Sequence, residues 1–461
     1  MNTKKLVHTL ALSAAALLPV LAGCSGSGGG SGAPSPSPSS APSAAPSSAP
    51  AAEAPAGSPA AEPEPFDLGG YTVRYAMWWD GAPNVNDPTG EMQAARDEEL
   101  MKKYNFTFEF LNIPHSEIVE KLTSSALAGD PMADIVYLEA KQAIPALAES
   151  GIIQPLDDYF DFSDPRFPEN LKEYAMYKGK IYGFLHKADS SHGIWYNKKL
   201  LNEAGLPDIY ELQKKGEWTW DKYLEIAKAT TKDFDGDGNI DQWGITIGYD
   251  ITDHFLYSNN ARITEEVDGK FQFVLDSPQA IEALDFVGKL FSEHKVATFQ
   301  SQGLFEAGKA ALYGGETWMG PALAARIGAE NLGFAAYPNG PSNLDKSKYT
   351  SVTTNTGIYT FPATAKHPKE VAQIMMERAL WDNVENEIFT FLESNMPNPE
   401  SMELARELMR VNKLNNVEAF PGLNDIYLQI LDRVRSGESA ATVVQELKPA
   451  AVDTINALLN R

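Results

Sequence analysis

Short apolar runs alternate with amphipathic stretches along most of this chain. Tyr71 to Ala76 reads as a strand and Glu91 to Tyr104 as a charged amphipathic helix. Phe106 to Leu111 reads as a second strand, with a helix around Ser116 to Ala128 behind it. Ala133 to Leu138 then forms a short buried strand. This βαβα alternation predicts a mainly parallel sheet covered by helices on both faces. Further along, Ser277-Pro278 offers an N-cap residue with Pro at the first helical position. Ile281, Leu284, Val287, Leu290 and Phe291 follow it at helical spacing. Another helix is predicted from Pro368, and roughly the last sixty residues read as two or three helices, one of which Pro449 must end or kink. No internal repeat is visible.

The N-terminus follows a different pattern. Lys4 and Lys5 precede an apolar run from Leu10 to Leu21 that only Ser13 and Pro19 interrupt. A bilayer span needs about 20 apolar residues, so this run fits the core of a signal peptide better. It ends in Leu21-Ala22-Gly23-Cys24, which resembles the bacterial lipobox. Residues 1–23 are therefore expected to be a lipoprotein signal peptide, with diacylglycerol attached to the Cys24 sulfur after cleavage. Each buried lipid CH2 contributes roughly 0.8 kcal/mol, so the acylated protein is held firmly on the extracytoplasmic face of the cell membrane. Residues 25–65 are almost entirely Ser, Gly, Ala and Pro, with Glu53, Glu62 and Glu64 as the charges. Nothing there can bury surface, which predicts a disordered tether spanning roughly 35 Å as a coil and ~125 Å when extended. Folding is expected from about Phe66.

Composition narrows the classes further. The chain has 461 residues, more than one ordinary core accommodates, so two or three domains or lobes are expected. Asp and Glu number 62 against 38 Lys and Arg, a net charge of -24 that would repel a polyphosphate and excludes nucleic acid as a partner. The single cysteine allows no internal disulfide, no Cys-based zinc site and no redox pair.

One local motif carries metal chemistry. In Asp233-Phe-Asp-Gly-Asp-Gly-Asn-Ile-Asp-Gln-Trp-Gly244, Asp233, Asp235, Asp237 and Asp241 take positions 1, 3, 5 and 9 of a calcium loop. The Asn239 carbonyl stands at position 7 and Gly238 permits the sharp turn. Carboxylates so closely spaced repel one another unless a cation sits among them, so a structural Ca2+ ion is expected. At position 12, Gly244 replaces the usual bidentate Glu, which would weaken the site. The same residues also fit a solvated acidic turn.

Aromatic residues make up 10% of the chain, with 8 Trp and 18 Tyr. Sugars stack their flat C–H faces on aromatic rings and their hydroxyls need planar polar partners, so pockets for them combine Trp or Tyr with Asp, Glu, Asn and Arg. Trp78, Trp79 and Asp80 directly follow the first strand, at the strand end where open α/β sheets bind ligands. Glu139 and Lys141 follow the third strand in the same way.

Four stretches, in this order, resemble the extracellular solute-binding proteins of ABC importers, and within them the carbohydrate-binding cluster around maltose- and alginate-oligosaccharide-binding proteins. They are Ala133 to Leu138 with Gly151 to Asp157, then Lys178 to Phe184, then Ile194 to Pro207, then Phe305 to Leu312. The resemblance covers nearly everything from Phe66 to Arg461. It implies an α/β, two-lobed periplasmic-binding-protein-like fold, each lobe a mainly parallel sheet flanked by helices, with the ligand cleft at the hinge. By analogy the N-lobe comprises residues 66–187 and 336–390, and the C-lobe residues 188–335 and 391–461. Such domains close on their ligand like a hinge, and the closed form is what the importer's permease subunits recognise. The resemblance further implies a monomer and a ligand-stacking aromatic at Trp318, with Glu316 beside it. His186, Asp189 and His192 would lie in the crossover facing the cleft. The alginate-binding relatives close their metal loop with an acidic residue where this chain has Gln242, which can offer only a neutral oxygen. Trp195, Trp218, Trp220 and Trp243 are assigned to packing.

Other chemistries fit less well. Gly303 to Lys309 reads G-x-x-x-x-G-K, yet Ala310 stands where a phosphate-binding loop needs Ser or Thr for magnesium. Neither H-E-x-x-H nor G-x-S-x-G occurs. The expected function is thus non-enzymatic capture of a carbohydrate, foremost an oligosaccharide, for an ABC importer. Two alternatives stay open: a cell-anchored glycoside hydrolase or polysaccharide lyase, and the same fold binding a peptide, polyamine or metal complex.

Overall fold

The computed structural model describes residues 66–459, apart from residues 87, 188–189, 248–250, 300 and 354–355. The leader, Cys24, the Ser/Pro-rich segment and Asp189 lie outside the described residues. No helix among the described residues is long and apolar enough to cross a membrane.

Two sheets organise the chain. The first has four strands in the order Gly357–Thr360, Ile135–Glu139, Tyr71–Met77, Phe106–Asn112. Tyr71–Met77 pairs in parallel with Phe106–Asn112 along its whole length and with Ile135–Glu139 at Tyr75 and Ala76. The helices Pro88–Tyr104 and His115–Ala128 make the crossovers that parallel pairing requires. Gly357–Thr360 adds an antiparallel edge. Val73, Tyr75, Ala76, Ile135, Val136 and Leu138 form the buried centre of this layer.

The second sheet orders Ala297–Thr298, Trp243–Thr246, Ala310–Glu316, His192–Asn197 and Leu332–Ala335. It is evenly mixed: two pairings are parallel and the two made by His192–Asn197 are antiparallel. In both sheets, then, the strand that brings the chain over from the other sheet is an antiparallel one. His192–Asn197 is buried at all six positions, as befits a strand covered on both faces. Trp195 and Trp218 are fully buried and Trp220 nearly so. A short parallel pair, Ser351–Thr353 with Asn412–Leu414, lies beside the entry to this sheet, where the Ser351 hydroxyl meets the His192 main chain.

Helices complete the layers. Ser277 caps the helix Pro278–Ser292 through the Ala280 N–H, and Leu284, Val287 and Leu290 are its buried stripe. Helix Pro368–Arg378 returns to the first sheet, where Arg378 makes a two-pronged pair of 2.8 and 2.9 Å with Asp97 of the first helix. Helices Pro399–Arg410, Leu423–Arg435 and Ala440–Leu459 close the chain. Pro449 does not end the last one. The carbonyl it deprives of a partner belongs to Gln445, and both residues are exposed, so water can satisfy that group. Gly303 to Lys309 runs from helix into strand, the reverse of a phosphate-binding turn.

Candidate functional site

Residues at the ends of the first sheet's strands and just beyond them form an aromatic group. Trp78 and Trp79 meet edge to face, centroids 5.4 Å apart. Tyr137 touches both, at 5.0 and 4.9 Å, and His115 stands perpendicular to Trp78 at 4.9 Å. Tyr137 can reach over the edge strand because residue 357 is glycine; a Cβ there would come within 2.0 Å of the tyrosine ring. Trp78 is half-buried by these contacts, whereas Trp79 keeps 41% of its surface exposed. Asp80 is exposed and its carboxylate accepts from the Ala82 N–H, fixing the turn. Glu139 forms a reciprocal cap with Gln142, and its carboxylate lies 3.5 Å from both His115 Nε2 and Lys141 Nζ. Lys141 reaches on to Glu418 at 2.6 Å.

The second group stands at the end of Ala310–Glu316. Glu316 is the register partner of His192. Its carboxylate accepts the indole N–H of Trp318 and, at 3.4 Å, the Ser190 hydroxyl. Trp318 projects a ring that is 57% exposed. Beside it His192 is buried, 4.2 Å from the His254 ring, with Tyr337 OH 3.3 Å from its Nδ1. A small recess opens here between Glu316, His192, His254, Asp253, Ser190 and Thr353.

One segment of chain touches both groups. Thr353 lines the recess, and the Thr356 carbonyl accepts from the Ala140 N–H, next to Glu139 and Lys141. Three peptide steps span at most about 11 Å. The structure thus groups Trp78, Trp79, Glu139 and Lys141, with Asp80 next in the chain, at the first sheet, and His192, Glu316 and Trp318 at the second. His186 joins neither by a ring contact: it packs edge-on against Trp381 at 6.3 Å. Loss of water and the neighbouring Lys187 charge push its imidazole down to about 4. Tyr137, His115, Asp253 and His254 complete the two groups and were not singled out from the sequence. Tyr137 sits two residues before Glu139, on the same strand face, and His115 opens the helix after the second strand, so alternation and strand-end position signal both. His254 lies in helix Ile251–Ser258 and carries no such signal.

The acidic loop stands apart, between helix Trp220–Thr230 and strand Trp243–Thr246. One carboxylate oxygen each from Asp233, Asp235 and Asp237 falls within 4.8 Å of the others. Main-chain N–H groups of Gly236 and Gly238 bind Asp233, that of Asp237 binds Asp235, and that of Phe234 binds Asp241. The Asn239 main-chain and side-chain N–H groups bind Asp237 and hold its carboxyl below the usual range. Gly236 and Gly238 have φ of 73° and 89°, which the turn requires. The Gln242 side-chain NH2 donates to the Thr230 carbonyl at 2.6 Å. Gly244 is fixed by packing, since a Cβ there would lie 2.2 Å from the Ala227 carbonyl oxygen.

Comparison with known proteins shows the family. Residues 59–375 match the family described as bacterial extracellular solute-binding protein. Among solved structures, the cyclic α-maltosyl-1,6-maltose binding protein of Arthrobacter globiformis is similar at 18% identity and TM-score 0.63, over 85% of this chain and 100% of that one. An extracellular solute-binding protein of Staphylococcus aureus, solved with maltose, is similar at 15% identity and TM-score 0.62, over 84% and 98%. An ABC substrate-binding protein of Listeria monocytogenes, solved with cycloalternan, is similar at 16% identity and TM-score 0.57, over 85% and 99%. The match spans more than half of the sequence and these folds are two-lobed binding proteins, so this chain belongs to the bacterial extracellular solute-binding proteins, which bind their solutes and are not enzymes.

Proposed function

We propose that this protein captures an oligosaccharide between its two lobes, from a lipid anchor at Cys24, and hands it to the permease subunits of an ABC importer. One observation carries the ligand class: two exposed indoles, Trp79 and Trp318, stand at strand ends of different sheets, each braced by aromatic or carboxylate neighbours. Rings held this way offer flat apolar faces to sugar C–H groups, while Asp80, Glu139 and Glu316 accept from hydroxyls. The sugars bound by the similar solved proteins support the same reading. A ligand touching both groups favours the closed arrangement of the lobes, which is the signal for delivery. The test is a thermal-shift and calorimetric screen against mono- and oligosaccharides, with an assay for new reducing ends. Saturable binding without turnover supports the reading; absence of binding across the panel, or release of products, overturns it.

A Ca2+ ion held by Asp233, Asp235, Asp237, Asp241 and the Asn239 carbonyl would serve as a structural clamp on the loop. Three converging carboxylates and a main chain already wrapped around them support this part. Gln242 would add its neutral side-chain oxygen, its NH2 group donating to the Thr230 carbonyl.

A further inference from the structure

The recess beside Trp318 has a volume of about 40 Å3. A cavity that holds a benzene ring measures about 150 Å3, so a recess of this size takes a small polar group and not a sugar ring. Its walls are fixed before any ligand arrives. His254 lies flat on Tyr337, rings 4.0 Å apart and 2° from parallel, and against His192. The Asp253 carboxylate accepts from Asn415 and from Tyr427 OH, and Glu316 accepts from Ser190 and Trp318. Two carboxylates, two imidazoles and hydroxyls line it, and among the described residues no Lys or Arg does.

That lining is selective. A hydroxyl can donate to a carboxylate and accept from a wall hydroxyl or imidazole at once. An anionic group would face the carboxylates of Glu316 and Asp253 at close range. Hydroxyls attached directly to a pyranose stay at the ring edge, whereas a hydroxymethyl group projects one carbon further and can enter a recess while its ring lies on Trp318.

We propose that this recess takes the exocyclic hydroxymethyl group of the sugar unit stacked on Trp318, so that the protein selects hexose units with a free primary hydroxyl and rejects 6-deoxy sugars and uronic acids. This rests on the oligosaccharide reading above and narrows it. The test is calorimetry on the full chain with maltotriose, cellotriose, mannotriose and trigalacturonate. The tightest neutral binder is then compared with analogues deoxygenated, or oxidised to the carboxylate, at C6 of one ring at a time. At one ring position the deoxy analogue is expected to bind at least roughly tenfold more weakly and the carboxylate analogue more weakly still, because a site built to hydrogen-bond a hydroxyl is left unpaired without it. Ser190→Ala is expected to weaken the parent sugar severalfold and leave that deoxy analogue unchanged, a coupling that a merely structural serine would not produce. Analogues that all bind within about threefold of the parent, Ser190→Ala weakening parent and analogue alike, or preference for trigalacturonate would each overturn this inference and leave the oligosaccharide reading standing. No binding by any sugar overturns both.

Discussion

The indole N–H of Trp318 turns back onto the carboxylate of Glu316, two residues before it, so one hydrogen bond orients both an exposed ring face and a proton acceptor. The pair rests on the last residue of a buried strand, and the Trp195 indole N–H bonds the Glu316 carbonyl beneath it. Orientation of this kind lowers the entropy that binding must overcome.

Trp318→Ala therefore removes a ring that packs against little of the protein itself. Sugar affinity is expected to fall roughly thirtyfold, about 2 kcal/mol, as for an anchor residue at the centre of an interface. The melting temperature should stay within about a degree of wild type. Calorimetry and a thermal melt on the same sample check both. A large loss of stability would mean that the ring belongs to the core.

Removing calcium from the loop should cost stability in proportion to occupancy. At a hundredfold excess over Kd the ion contributes about 2.7 kcal/mol, enough to raise the melting temperature by a few degrees. Chelator should reverse the rise, and Asp235→Asn should abolish it. A melt indifferent to calcium and chelator would leave the loop a solvated acidic turn.

The His186 imidazole titrates near 4 in the folded chain against 6.5 when unfolded. The unfolded state thus binds the proton first, and stability rises with pH. The contribution is complete above pH 6.5 and is lost progressively as pH falls from 6.5 to about 4, up to ~3 kcal/mol in all. His186→Leu should flatten the stability profile in that window relative to wild type. Chemical denaturation at pH 7, 5.5 and 4.5 measures the difference.

Asp97 and Arg378 are nearly buried, with only 6% and 12% of their side chains exposed, and join the first helix to the helix that returns to the first sheet. Asp97→Ala leaves a buried guanidinium among Tyr75, Phe108 and Phe110 without its acid. A loss of ~3–5 kcal/mol is expected, with sugar affinity nearly unchanged at temperatures where the variant is folded. Urea unfolding and calorimetry separate the two effects.

Much of the candidate site lies where local sequence pattern points. Trp78, Trp79, Asp80, Glu139 and Lys141 follow strands, and position after a strand in an α/β pattern is a local property. Tyr137 was equally legible by alternation. His254 and Asp253 were not, because nothing in a short helix 62 residues beyond His192 foretells a ring stack with it. The Gln242 side-chain NH2 donates to a carbonyl at the end of helix Trp220–Thr230, a contact that the loop motif does not foretell. His186 followed the crossover pattern toward the cleft, yet its ring found Trp381.

The sequence alone determined the α/β character, the family and the acidic loop, because strand and helix periodicity, caps and turn glycines act over a few residues. Which side chains converge was decided only by the packed structure. Ser190 and Glu316 lie 126 residues apart, and they meet because two strands of one sheet happen to pair in that register. Register is a property of the whole buried layer, in which a slip of one residue would turn every side chain to the opposite face.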